Sequence, residues 1–116
     1  MRSTVLALAT LVVAIVPAAA DGVYRGASSV AGGRDPVCAG VTSMNAIVSG
    51  SDIRLDGAVY EGAAAPGSGT VKSDGSFTAT KPSDKGTITF TGKVTANRVT
   101  AQWKGPDCYG AIDLAK

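Results

Sequence analysis

The chain offers few side chains able to do chemistry. It has no histidine and a single glutamate, Glu61. Without an imidazole, neither a Ser-His-Asp nor a Cys-His arrangement can be assembled. The Gly-x-Ser-x-Gly and Ser-x-x-Lys nucleophile motifs are absent. Gly92-Lys93 does not complete a phosphate-binding loop, because Thr87 stands where the first glycine belongs and Val94 where Ser or Thr belongs. Asp52 and Asp56 lie four residues apart and share a strand face, some ~13 Å apart at about 3.3 Å of rise per residue. That is too far for a retaining carboxylate pair and long for an inverting one. Adding Asp74 does not give the ligand spacing of a calcium loop. These residues read as solvated charges, and the chain reads as a non-enzyme that needs no cofactor and no metal.

Two cysteines, Cys38 and Cys108, remain. Metal sites want close cysteines joined by histidine or further cysteines, and neither is present. In an oxidising compartment the pair reads as a disulfide. Three tyrosines, Tyr24, Tyr60 and Tyr109, fall opposite their apolar neighbours in the local alternation. An amphipathic ring so placed works half-wet and can stack on a sugar or another flat ligand. All three are candidate ligand contacts, against the plainer reading of rim residues over a small core. Trp103 belongs to the core. The loop Arg34-Asp35-Pro36 beside Cys38 is a candidate for contact with another protein, and equally ordinary turn chemistry.

The compartment comes from the N-terminus. Met1-Arg2-Ser3-Thr4 is positively charged, Val5–Val16 is apolar, and Pro17 precedes Ala18-Ala19-Ala20. This is the build of a cleavable signal peptide over residues 1–20, with the cut just before Asp21. The expected product is periplasmic or secreted. The apolar run is shorter than the ~20 residues a spanning helix needs, and no second such run follows, so no membrane span is expected in the mature protein. Removing residues 1–20 from the 116 leaves 96, one small domain over 21–116. Without Arg2, the 11 basic residues fall to 10 against 9 acidic ones. They are scattered, with none of the basic striping a nucleic-acid partner calls for. The chain reads as a monomer.

Those residues must be positioned by short strands. All 15 glycines lie beyond residue 20 and punctuate alternating segments, with no helical period. Val71 and Phe77 flank Ser73-Asp74-Gly75. A three-residue loop with Gly75 left-handed pairs Lys72 with Ser76 and puts Val71 and Phe77 on one face. Further on, pairing Val94 with Val99 sets Gly92 against Ala101 and Phe90 against Trp103. The small Gly92–Ala101 pair leaves room for a neighbouring ring or lets the sheet bend. A four-residue turn over 104–107 then puts Cys108, Gly110 and Ile112 on the Trp103 face. Upstream, Ile53, Leu55 and Val59 alternate with Arg54, Asp56 and Ala58, and Gly50-Ser51 turns back to a strand near Met44–Val48. Val23–Arg25 forms a first strand. Ala27–Pro36, Gly62–Gly69 and Thr80–Lys85 read as mobile connectors.

The expectation is all-β: a small antiparallel meander barrel of seven or eight short strands, with a two-sheet sandwich as the alternative. A Cys38–Cys108 bridge would draw the first and last strands together, as barrel closure requires. An interior filled by side chains would favour an envelope accessory. An open, aromatic-lined mouth would favour a ligand held within, and loops protruding at Arg34 or Lys81 would favour protein partners.

Gly22-Val23-Tyr24-Arg25-Gly26, Asp74-Gly75-Ser76-Phe77, Gly92-Lys93-Val94 and the closing strand from Cys108 together resemble a group of small exported bacterial proteins. Their pattern is G-x-Y-x-G, then D-G-S-F, then G-x-[VI], then a last strand rooted in a cysteine. The resemblance implies a small all-β domain with one disulfide, periplasmic or secreted. It brings no assigned activity, cofactor or catalytic residue. The expected role is a non-enzymatic exported protein that binds a small-molecule or saccharide ligand or serves the envelope, the alternative being a secreted interaction factor or inhibitor acting through its loops.

Overall fold

The structure, a computed structural model, describes residues 20–34, 36, 38–59 and 65–116. The expected leader, all but Ala20, lies outside the described residues, as do Tyr60 and Glu61. Eight strands follow one another: β1 (Gly22–Gly33), β2 (Val41–Ser49), β3 (Asp52–Asp56), β4 (Gly67–Val71), β5 (Ser76–Ser83), β6 (Gly86–Val94), β7 (Arg98–Lys104) and β8 (Cys108–Ala115). Each pairs antiparallel with the next, and β1 pairs with β8, so the sheet closes into a barrel in simple meander order. Closure gives each strand a hydrogen-bonded neighbour on both sides. The sandwich alternative is excluded.

Turn chemistry sets the registers. Gly75 has φ +90°, a value an L side chain rarely adopts, and the Lys72 amide donates to the Ser76 carbonyl at 2.8 Å. The Asp74 carboxylate tightens this turn by accepting from the Ser76 amide at 2.9 Å and its hydroxyl at 2.6 Å. Those bonds hold its carboxyl below the usual pKa. Val71 and Phe77 are accordingly cross-strand partners, both buried. Val94–Val99, Gly92–Ala101 and Phe90–Trp103 pair as the alternation predicts. Gly92 faces Phe77 on its other side, so the small pair does lie beside a ring.

Around the inside, large and small side chains take turns. One layer runs Gly69, Ala79, Phe90, Trp103, Gly110; the next runs Val71, Phe77, Gly92, Ala101, Ile112. A narrow barrel admits rings only where a neighbouring position is nearly empty. Gly110 shows how tight this is: a Cβ there would sit 2.7 Å from the Trp103 ring.

The two rims differ. The terminal rim carries the start of β1, the end of β8 and the β2–β3, β4–β5 and β6–β7 turns. The opposite rim carries the Cys38–Cys108 disulfide, with Cα atoms 5.2 Å apart. This bridge ties the β1–β2 connection to the first residue of β8, and the Arg34 amide adds a bond to the Asp107 carbonyl at 3.0 Å.

Of the three segments expected to be mobile, Ala27–Pro36, Gly62–Gly69 and Thr80–Lys85, the greater part is strand, while Asp35 and residues 62–64 lie outside the described residues. Ala27–Gly33 continues β1, because its backbone pairs with β8 throughout and with β2 as far as Ser29, with an irregularity between Val30 and Gly32. Its small residues serve close approach: a Cβ on Gly33 would lie 2.4 Å from Cys38 Sγ. Gly67–Gly69 belongs to β4 and Thr80–Ser83 to β5.

Candidate functional site

Among the described residues, large buried side chains occupy the interior. Its core includes Trp103, Tyr24, Phe77, Phe90, Met44 and Leu55. The polar groups inside are engaged with one another and with backbone carbonyls. Trp103 Nε1 donates to Ser28 Oγ at 3.0 Å, Ser28 Oγ contacts the Val59 carbonyl at 3.4 Å, and Thr42 Oγ1 donates to the Ala58 carbonyl at 2.5 Å. Lys81 Nζ donates to the Ala65 carbonyl. Side chains from β1, β2 and β5 thus hold carbonyls on both flanks of the β3–β4 connection, and Val59 is fully buried at the disulfide rim.

Two expectations are corrected here. Tyr24 faces inward, with no exposed surface, while Val23 faces out opposite Ile47. The reason is its partner: Tyr24 pairs with Ala46, small enough to admit the ring, and the hydroxyl reaches backbone carbonyls at the terminal rim. Burial, with the Asp21 charge adding, pushes the phenol pKa up. Lys81, expected within the mobile connector Thr80–Lys85, is instead buried in β5. A Cβ on Gly67 would lie 2.9 Å from Lys81 Cβ, so the missing side chain on β4 makes room for the lysine stem. Burial lowers its pKa, opposed by the Asp56 carboxylate.

Tyr109 stands outward, 52% exposed, as its alternation predicts. Two polar rows cross the outer surface there. Ser68, Thr80, Thr89, Lys104 and Tyr109 lie in register across five strands, and Thr70, Thr78, Thr91, Gln102 and Ala111 form the row beside them. Where the rows reach Tyr109 the surface dips into a groove of about 770 Å³, walled by Thr89, Thr91, Gln102, Lys104 and Tyr109 over the small residues Gly110 and Ala111. An aromatic face beside hydroxyl, amide and ammonium groups fixed on rigid strands suits a ligand that is flat on one side and rich in hydroxyls on the other. Of the three tyrosines, this is the one the described structure places on an open surface. Thr89, Thr91, Gln102 and Lys104 were not singled out from the sequence. Their signal was the shared outward register of the 87–104 hairpin, which becomes a site only when β8 brings Tyr109 alongside.

The other candidates stay apart. Asp52 and Asp56 lie on the outer face of β3, with Arg54 Nε 3.1 Å from Asp56. Arg34 is exposed beside the disulfide rim. Among the described residues, no three of His, Cys, Asp or Glu cluster closely enough to hold a metal ion, and no helix is long and apolar enough to cross a membrane. The outer rows of Ser, Thr, Gln and Lys are the reverse of the apolar outer band a lipid-embedded barrel presents.

The fold and surface define a class: a closed eight-stranded meander barrel with a largely apolar core, polar rows across the outer face of β4–β8 and one disulfide. No family model, no curated protein and no solved structure matches the chain.

Proposed function

We propose that this is an exported, non-enzymatic envelope accessory that engages saccharide through the outer groove at Tyr109. The occupied interior supports a role played by the outer surface, since no ligand competes for space that the core side chains hold. The observation that carries the reading is the outward Tyr109 ring at the end of an in-register row of Thr89 and Lys104. A sugar ring stacks its C–H face on such a phenol while its hydroxyls bond to threonine, glutamine and lysine. Export is supported by the leader-like composition of residues 1–20 and by the disulfide.

The test is a glycan array probed with the exported protein, followed by titration of any hit. Tyr109→Ala is expected to weaken binding by roughly three- to tenfold, the scale of one lost aromatic contact. Gln102→Ala should weaken it further. Binding unchanged in both variants would remove the groove from the account.

A further inference from the structure

The terminal rim carries an arrangement that the glycan reading does not use. Ala20 is buried, with 3% of its surface exposed. It lines a small pocket of about 200 Å³ together with Asp74, Gly75, Val94 and Thr95. Tyr24 Oη hydrogen-bonds the Ala20 carbonyl and lies 2.9 Å from the Thr95 carbonyl. Both neighbours are acceptors, and a phenol has one proton to give. In the uncut chain the hydroxyl faces one acceptor too many.

We propose that Tyr24 is the seat of a free chain terminus, binding the α-ammonium of Asp21 once residues 1–20 have been removed. This rests on the leader reading of those residues. Hydrolysis breaks the Ala20–Asp21 C–N bond. The water oxygen goes to the Ala20 carboxylate, and the Asp21 nitrogen takes up protons to become an ammonium. One acceptor leaves the rim and a group with three N–H donors and no acceptor takes its place. Tyr24 Oη then gives its proton to the Thr95 carbonyl and accepts from the ammonium with a lone pair. Every polar group in the set has a partner of the right kind.

The charges around the rim are mixed. The Asp21 carboxylate is held at the rim by the Gly50 amide at 2.9 Å. Asp74 lines the same pocket from the β4–β5 turn. On the other side, Lys116 Nζ lies 5.7 Å from the centroid of the Tyr24 ring. Lys72 and Lys93 act on Asp74 from the flanking strands, so the choice of a donor at this rim comes from the phenol lone pair rather than from net charge.

The experiment starts from the whole chain expressed in an exporting host. Intact mass establishes where the product begins, and a start other than Asp21 overturns the leader reading and this proposal with it. For a product beginning at Asp21, the α-amine is titrated by NMR and the melting temperature is compared with that of the Nα-acetylated protein. The seated amine should titrate above its ordinary range near 7.7–8.0. Tyr24→Phe should bring it back toward that range. Acetylation should lower the melting temperature at pH 6.5 by roughly 4–8 °C, and the difference should vanish as the pH rises through the amine's folded pKa. An α-amine titrating in the ordinary range, or acetylation without effect on melting, overturns the seat while leaving the leader intact. Should Tyr24→Phe fail to fold, the acetylation comparison decides alone.

Discussion

Trp103 and Ser28 meet inside the barrel, the indole N–H donating to the serine hydroxyl at 3.0 Å from strands that are 75 residues apart in sequence. Both are buried. The hydroxyl also contacts the Val59 carbonyl, so one serine links the largest core ring to the β3–β4 connection. Ser28→Ala removes one buried hydrogen bond from the Trp103 indole and one contact from the Val59 carbonyl at once. Losing a buried hydrogen bond costs about 0.5–1.5 kcal/mol. Chemical denaturation should show a loss of that size for Ser28→Ala. Ser28→Thr, which keeps the hydroxyl, should lose less; equal losses would mean that packing, not the bond, is what the site needs.

Lys81 should make the barrel's stability depend on pH. Its folded pKa is lowered by burial, so between that value and the unfolded one near 10.4 the unfolded chain binds more protons. Stability from this group therefore rises with pH across that window and is lost as pH falls through the folded pKa. Lys81→Met removes the titration and keeps an unbranched stem over Gly67. Melting curves taken from pH 6 to 10.5 should show the wild-type protein gaining on Lys81→Met as pH rises. Parallel curves would show that the ammonium is not desolvated in the folded state.

The hairpins were legible because their information is local. Gly75 fixes the pair Val71–Phe77, and pairing Val94 with Val99 fixes Phe90–Trp103; the structure has both. Closure was less legible. Tyr24 turns inward because Ala46 lies across from it, and Lys81 turns inward because Gly67 lies beside it. Each decision belongs to a residue on another strand, which periodicity along one strand does not report. The same holds for Ala27–Gly33, whose composition is that of a loop but whose two neighbours make it a strand. It holds too for the Tyr109 groove: its threonines, glutamine and lysine share a hairpin face, and only the β7–β8 pairing adds the ring.

The disulfide closes a separation of 70 residues. In the chain-entropy treatment a loop of that length stabilises the fold by about 4 kcal/mol, by limiting the unfolded chain. Cys38→Ser, solvent-accessible at its side, is the milder probe; Cys108→Ala opens space in the core as well. Cys38→Ser should cost a few kcal/mol, and reductant should destabilise the wild-type protein by a similar amount while leaving the variant unaffected. A variant as stable as the oxidised wild type would show that the β1–β8 ladder alone closes the barrel.

Gly110 lies across from Trp103 on the inner face, with β1 on its other side. A Cβ added there would sit 2.1 Å from the Ser29 carbonyl and 2.7 Å from the Trp103 ring. The carbonyl belongs to the β1–β8 ladder and cannot turn away, so the ring must move or the two strands must part. Overpacking of this kind costs typically about 1–3 kcal/mol. Gly110→Ala should therefore destabilise the barrel and shift the Trp103 fluorescence, whereas Ala111→Ser on the outward face of the same strand should leave both unchanged. Loss of stability in Gly110→Ala with an unaltered Trp103 spectrum would place the strain in the β1–β8 ladder; a shifted spectrum would place it on the ring. An unaffected stability would mean that β8 does not lie this close to β1.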